Sequence, residues 1–189
     1  MIASLLQYDH ELFSLINGFH DAVLDKVMYW ASDRFIWIPF YAWLLLLIIK
    51  HYRNELKIIL PSIVLLILIA DQFSVFVKNH FQRLRPCHDV SFANTIHLIN
   101  SECGGMYGFV SSHAANTMSI AIFLCLILPR DLRWTKIELI AWTLLVSYSR
   151  IYLGAHFPGD VVGGWIVGII AAQISFQMYS LVKKKIVAT

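Results

Sequence analysis

Apolar residues run along this chain in long blocks. Phe35–Ile49, Ile58–Val77, Ala114–Leu128, Ile137–Leu153 and Val161–Val182 are each apolar over 15 to 22 residues, lengths suited to a hydrocarbon layer about 30 Å thick. None alternates with the period of two that marks a barrel strand. A backbone in hydrocarbon must also satisfy its own hydrogen bonds, so helices are predicted. The expected fold class is all-α, an integral membrane helical bundle with five or six transmembrane helices. The sixth depends on residues 1–34, where Leu5, Leu6, Leu12, Phe13, Leu15, Ile16 and Phe19 recur at near-helical spacing among Asp9, His10, Glu11 and Asp21. That pattern predicts an amphipathic, interfacial helical segment, with an imperfect span as the alternative. Trp30, Trp37, Tyr41 and Trp43 suit an aromatic belt leading into the first span.

Residues 35–189 are expected to form one bundle, since no repeat, low-complexity tract or linker divides them. The long polar insert, about residues 83–110, contains Pro86, Asn94, Asn100, Gly104, Gly105 and Gly108 and reads as a loop. Composition agrees with a membrane protein: 58% of the 189 residues are hydrophobic and 14% charged, outside the balance of soluble domains. The net charge of +3 is scattered among loops, with no basic stripe for nucleic acid. The first basic residue is Lys26, so no basic leader of a cleavable signal is expected and the chain is read as mature.

The basic residues set an orientation. Lys50, Arg53 and Lys57, then Arg130, Arg133 and Lys136, then Lys183, Lys184 and Lys185 fall on one side if five spans alternate, and the positive-inside bias makes that side cytoplasmic. The C-terminus is then inside. Lys78, Arg83, Arg85 and Arg150 fall at the outer face, against the bias, which implies a local need for positive charge. Cys87 and Cys103 share the outer loop, where an oxidising compartment permits a bridge; two free thiols are the alternative. Such a bridge stabilises by roughly 3 kcal/mol on chain-entropy arguments.

Three segments collect polar groups at that same outer end. In Lys78–Pro86, Lys78 and Arg85 are two helical turns apart and share a face if the helix continues to Pro86, though either residue alone fits interfacial snorkelling. In Gly108–Asn116, Ser111 and Ser112 suit helix capping, whereas His113 at a helix N-terminus is placed to exchange a proton beside an anion. In Ser149–Asp160, Arg150 is costly near a span end unless it faces a polar cavity or a partner. Pro158 fits the first turn of a helix. Asp160 either complements that helix's dipole or pairs with His156, four residues away, setting its tautomer. Three cations with planar or compact donors suit phosphate, and two histidines suggest a nucleophile and an acid. No metal-ligand set or nucleotide loop accompanies them, so no metal and no cofactor are expected.

The three blocks together resemble the type 2 phosphatidic acid phosphatase superfamily, at Lys78, Arg85-Pro86, Ser111, His113, Ser149-Arg150, His156 and Asp160. One departure is Val110-Ser111-Ser112-His113, where the family usually has Pro-Ser-Gly-His; a backbone N–H at Ser112 still suits phosphate. The resemblance implies that His156 is the nucleophile, Asp160 its support and His113 the acid. Lys78, Arg85, Arg150, Ser111 and Ser112 then bind phosphate. It implies a metal-independent lipid phosphatase in a bacterial cytoplasmic membrane, with its site at the periplasmic face. Its partners would be the bilayer and a membrane lipid, with no obligate protein partner. Undecaprenyl diphosphate is the favoured substrate. Phosphatidylglycerophosphate, phosphatidic acid and lipid A are the alternatives within the family. A transporter or a lipid-binding protein is the non-enzyme alternative, disfavoured because the ionisable groups cluster at one face. Asp71, inside the second span, receives no catalytic role.

Overall fold

The computed structural model describes residues 2–99 and 103–187; Asn100, named above in the polar insert, lies outside them. Among the described residues seven α-helices follow in order: α1 Ile2–Gly18, α2 Ala22–Ser32, α3 Ile38–Tyr52, α4 Leu56–Phe81, α5 Ser112–Ile127, α6 Arg133–Tyr152 and α7 Pro158–Val187. Among the described residues the only extended pairing is an isolated antiparallel bridge between Leu84 and Tyr107. Each of the five apolar blocks forms a helix, α3 to α7. The stretches Ile38–Phe81 and Pro158–Ile186 are long and apolar enough to cross a membrane, and Ser112–Ile127 is a shorter apolar helix.

Local chemistry sets the boundaries. Asp21 caps α2, its carboxylate accepting from Val23 N at 2.7 Å and Leu24 N at 3.0 Å, which splits the N-terminal segment into two helices where the sequence predicted one. Ser111 caps α5. Pro39 and Pro158 occupy first turns, where a missing N–H costs nothing.

The most extensive packing is between α5 and α7, which run parallel. Gly164 and Gly168 permit it: a Cβ at Gly164 would lie 2.5 Å from the Ser111 carbonyl oxygen, and one at Gly168 would lie 2.4 Å from that of Ala115. Small residues four apart let two backbones approach in this way. Ser175 Oγ donates to Ser62 O at 2.7 Å, tying α7 to α4, and Trp165 Nε1 donates to Ser147 Oγ at 2.9 Å, tying α7 to α6. The interior beneath is apolar, with Ile59, Leu66, Phe123, Leu124 and Leu139 all buried. The outward faces are apolar as well, with Leu46 66%, Phe76 64% and Ile166 56% exposed, a surface suited to lipid.

At the other end of the fold, α1 packs under the polar loop. Phe13, Phe92 and Phe157 form a buried aromatic cluster. Asn17 donates to His97 O at 2.9 Å and Tyr152 O at 2.7 Å, and accepts from His97 N at 2.8 Å. Cys87 and Cys103 are joined as a disulfide with Cα atoms 6.0 Å apart, which closes the loop.

Candidate active site

The C-terminal ends of α4 and α6 meet the N-terminal ends of α5 and α7, and all three polar blocks gather there. The first block differs from the helical expectation. Helix α4 stops at Phe81, with Gln82 left-handed at φ 49, so Arg85 is not delivered by a continuing helix face. The loop carries it instead: Arg85 N donates to Met106 O at 3.0 Å and Gly108 N donates to Arg83 O at 2.8 Å. Lys78 remains on α4 and donates from Nζ to Ser112 Oγ at 2.5 Å. Ser112, standing where the resemblance implies a glycine, therefore orients a cation.

His156 lies in the turn between α6 and α7 and is only 1% exposed. Arg85 Nη1 is 3.1 Å from His156 Nε2 and donates to Ala155 O at 3.0 Å. A guanidinium has no lone pair to offer, so Nε2 is the acceptor and the imidazole proton resides on Nδ1. Nδ1 is buried and makes no hydrogen bond; Asp160 Oδ2 lies 3.5 Å from it, a spacing open to tightening when a ligand binds. Burial, then the charges of Arg85, Arg150 and Lys78, hold the His156 imidazole well below its ordinary range. The ring is thus neutral, with its Nε2 lone pair turned toward Arg85 among the cations.

Asp160 is fully buried and held from several directions. Its Oδ2 accepts from Phe157 N at 3.0 Å, and its backbone oxygen accepts from Ser111 N at 2.9 Å, joining the second block to the third. The Oδ1 atom accepts from Arg83 Nη1 at 2.8 Å. Arg83 also grips Asp9 Oδ2 of α1 at 2.6 Å and stacks 4.3 Å over the Phe157 ring. Asp9 Oδ1 in turn accepts from Gly159 N at 2.6 Å. Sequence reading treated Arg83 as one more outer cation and missed Asp9 altogether. The alternation of basic residues at positions 83 and 85 was the available signal for Arg83; Asp9, far away in the chain, offered none.

Arg150 donates to Ser32 Oγ of α2. Its Nε–H, like that of Arg85, is buried without a hydrogen-bond partner, and buried cationic donors of this kind fit an anion. His113 sits in the first turn of α5, within electrostatic reach of Arg150, His156, Arg85 and Lys78. The dipoles of α5 and α7 add to the positive field. A cavity of about 180 Å³, lined by Arg150, Ala155, Ser32 and Tyr29 among others, opens on one side of the cluster. A second, of about 280 Å³, lies beside Ser112 and His113. Among the described residues, Cys87, His88 and Cys103 alone bring three metal-ligand atoms together, and the disulfide occupies two of them.

The chain matches the PAP2 superfamily over residues 58–184. It is 36% identical to a lipid A 4'-phosphatase of Bacteroides thetaiotaomicron, over 95% of this chain and 84% of that protein. It is 34% identical to an undecaprenyl-diphosphatase of Sulfolobus acidocaldarius, over 92% and 79%. The crystal structure of Aquifex aeolicus LpxE superposes with a TM-score of 0.68 at 26% identity, covering 88% of this chain and 93% of that one. The chain belongs to the PAP2 superfamily and is a membrane lipid phosphatase.

Proposed function

We propose that this enzyme releases phosphate from a lipid phosphate through a phosphohistidine on His156, without a metal ion. The observation that carries the reading is the buried imidazole whose Nε2 faces Arg85 at 3.1 Å while Nδ1 faces Asp160 at 3.5 Å. In the first step Nε2 forms a bond to phosphorus as the bond to the lipid oxygen breaks, and His113, carried into its protonated form by the negative charge of the bound phosphate, gives that oxygen its proton. Asp160 supports the Nδ1–H as positive charge develops on the ring. In the second step His113 takes a proton from water, whose oxygen displaces Nε2 and frees phosphate. Lys78, Arg85, Arg150, Ser111 and the Ser112 N–H hold the transferring oxygens.

The substrate we favour is a lipid A-type phosphate monoester, on the strength of the 36% identity to a lipid A 4'-phosphatase. A polyprenyl diphosphate, favoured by the sequence reading, is the second reading, supported by the 34% identity to an undecaprenyl-diphosphatase. The five helices α3 to α7 cross the bilayer in this account, α1 and α2 lie at its outer interface, and the C-terminus is cytoplasmic. Alternation supports this arrangement, since Lys50, Arg130 and Lys183 all fall at helix ends opposite His156.

The test is phosphate release by purified protein in detergent, with chelator present. Wild type is expected to turn over and His156→Ala to lose about a thousandfold or more of the rate, the scale seen when a nucleophile is removed. Near-normal turnover by a folded His156→Ala protein would exclude the assignment.

A further inference from the structure

Helix α1 has three faces. Asp9, Phe13, Ile16 and Asn17 point into the bundle. Leu5, Tyr8, Leu12, Leu15 and Phe19, spaced three and four apart, form a second stripe that is 46 to 72% exposed. Gln7, Glu11 and Ser14 form a third, exposed and polar, with Gln7 Nε2 donating to Glu11 Oε1 at 2.9 Å. The outward apolar stripe is thus larger than the apolar surface that Phe13 and Ile16 give to the bundle. The inner face meets the residues that follow the nucleophile. Because α7 begins at Pro158, the Gly159 N–H lies in its first turn, where no carbonyl of the helix is available. Asp9 Oδ1 accepts it at 2.6 Å, so a carboxylate of α1 caps α7 at the positive end of its dipole. The approach is close: a Cβ at Gly159 would lie 2.9 Å from Asp9 Oδ2. His10 stacks on Phe157, next in the chain to His156, with ring centroids 4.7 Å apart, and Arg83 links Asp9 to Asp160.

Resting on the phosphatase reading above, we propose that α1 is an interfacial clamp: its apolar stripe docks on the lipid surface at the outer face, and that docking holds Asp9 against the catalytic turn. The stripe adjoins a polar one, the division that a helix lying flat between hydrocarbon and water needs. Helix α2 repeats the outward apolar face with Val23, Val27 and Trp30 exposed, four and three residues apart, and the tryptophan suits the level of the head groups. Asp9 is a positioning residue in this arrangement, since it acts through Gly159, Arg83 and Asp160 and not on the phosphate. With α1 lifted, Arg83 loses one of its two carboxylates and the first turn of α7 loses its cap, so Asp160 no longer keeps its place beside His156. Turnover then depends on a lipid surface even for a substrate that is not itself a lipid.

The experiment places the protein in phosphatidylcholine bilayer discs, one copy per disc, and supplies a water-soluble aryl phosphate, whose delivery does not depend on lipid. Two things are read: kcat and KM, and hydrogen exchange at the Gly159 amide, which reports the clamp without turnover. The triple variant Leu5→Ser, Leu12→Ser, Leu15→Ser is expected to speed Gly159 exchange and to lower kcat roughly tenfold with KM unchanged, the scale of a small misplacement at a reacting group. Gln7→Ala with Glu11→Ala, on the polar stripe, should change neither. Asp9→Ala should reproduce both effects, and adding the three serines to it should cost little more, because one contact carries both. If the triple variant does not fold, Leu15→Ser carries the test with a smaller change in the same direction. Unchanged exchange or unchanged kcat in a folded stripe variant would overturn the clamp, as would full additivity with Asp9→Ala. A wild type that needs two copies per disc would assign the stripe to a second copy and overturn the lipid surface. Turnover that survives in His156→Ala would instead sink the phosphatase reading, and the clamp's catalytic role with it, whatever the exchange at Gly159.

Discussion

At the scale of single residues, the site joins groups that the sequence displays with others it conceals. Lys78, Arg85, Ser111, His113, Arg150, His156 and Asp160 were legible because each stands beside a helix end, where a charged or titratable side chain needs a reason. Asp9 was not, since its partners Arg83 and Gly159 lie 74 and 150 residues away and no local pattern links them. Arg83 bridges Asp9 and Asp160 with two arms of one guanidinium, a geometry lysine lacks. Arg83→Ala is therefore expected to lower kcat by roughly ten- to a hundredfold, the scale of a small misplacement at a reacting group. KM should stay near its original value, because Arg83 touches the carboxylate and not the phosphate. With its cation gone, Asp160 acts more strongly on His156 and raises its pKa, so the acid limb of kcat/KM should move to higher pH; a parallel loss without that movement would mark Arg83 as merely structural. Asp9→Asn keeps a hydrogen bond to Gly159 and should cost less.

The depressed pKa of His156 also has a thermodynamic consequence. Its folded value lies below the ordinary 6.5, so between the two values the unfolded chain binds a proton that the folded one refuses. Stability is then full above pH 6.5 and falls as pH drops toward the folded value. Thermal melts of wild type and His156→Gln across pH 5 to 8, about 1.5 units either side of the ordinary histidine value, should show wild type losing more on acidification. Equal losses would contradict the buried neutral ring.

At the scale of elements, helices were predicted where apolar blocks were long, and their ends were harder. The end of α4 at Phe81 was invisible because Gln82 is not a glycine, although it takes the left-handed conformation. The loop then delivers Arg85 by pairing with residues 106–108, a contact between distant segments that a linear pattern does not carry. The N-terminal break at Asp21 is a local cap signal that the amphipathic pattern of residues 1–34 obscured. Gly168→Val drives side-chain carbon toward the Ala115 carbonyl oxygen and should destabilise by about 1–3 kcal/mol, as overpacked interfaces do. Activity should fall with it, because the α5–α7 contact sets the distance from His113 to His156. Reducing the Cys87–Cys103 disulfide should lower the melting temperature, on the order of 3 kcal/mol of stability. It should also raise KM, since Gly104 beside Cys103 packs near the Arg85 guanidinium, where a Cβ would lie 3.6 Å from Cζ. Unchanged KM after verified reduction would detach the loop from phosphate binding.

At the scale of the whole molecule, the bundle places reactive groups at one end and basic anchors at the other, and the exposed apolar flanks lie between. This division was readable from charge and hydropathy alone. The contribution of α1 and α2 was not, because Asp9 and Ser32 reach the site only through the packing of both helices on the bundle. A reporter fused after Thr189 should be retained on the cytoplasmic side; an external reporter would reverse the orientation. The central claim, transfer of phosphate to His156, is tested most directly by trapping it. In a His113→Ala protein supplied with an aryl phosphate, whose leaving group needs no proton, the first step should proceed and the second should stall. Rapid quenching with labelled substrate should then yield phosphate bound to protein, stable to base, labile to acid and mapped to His156. Label on any other side chain, or label that persists in the double variant lacking His156, would contradict the account.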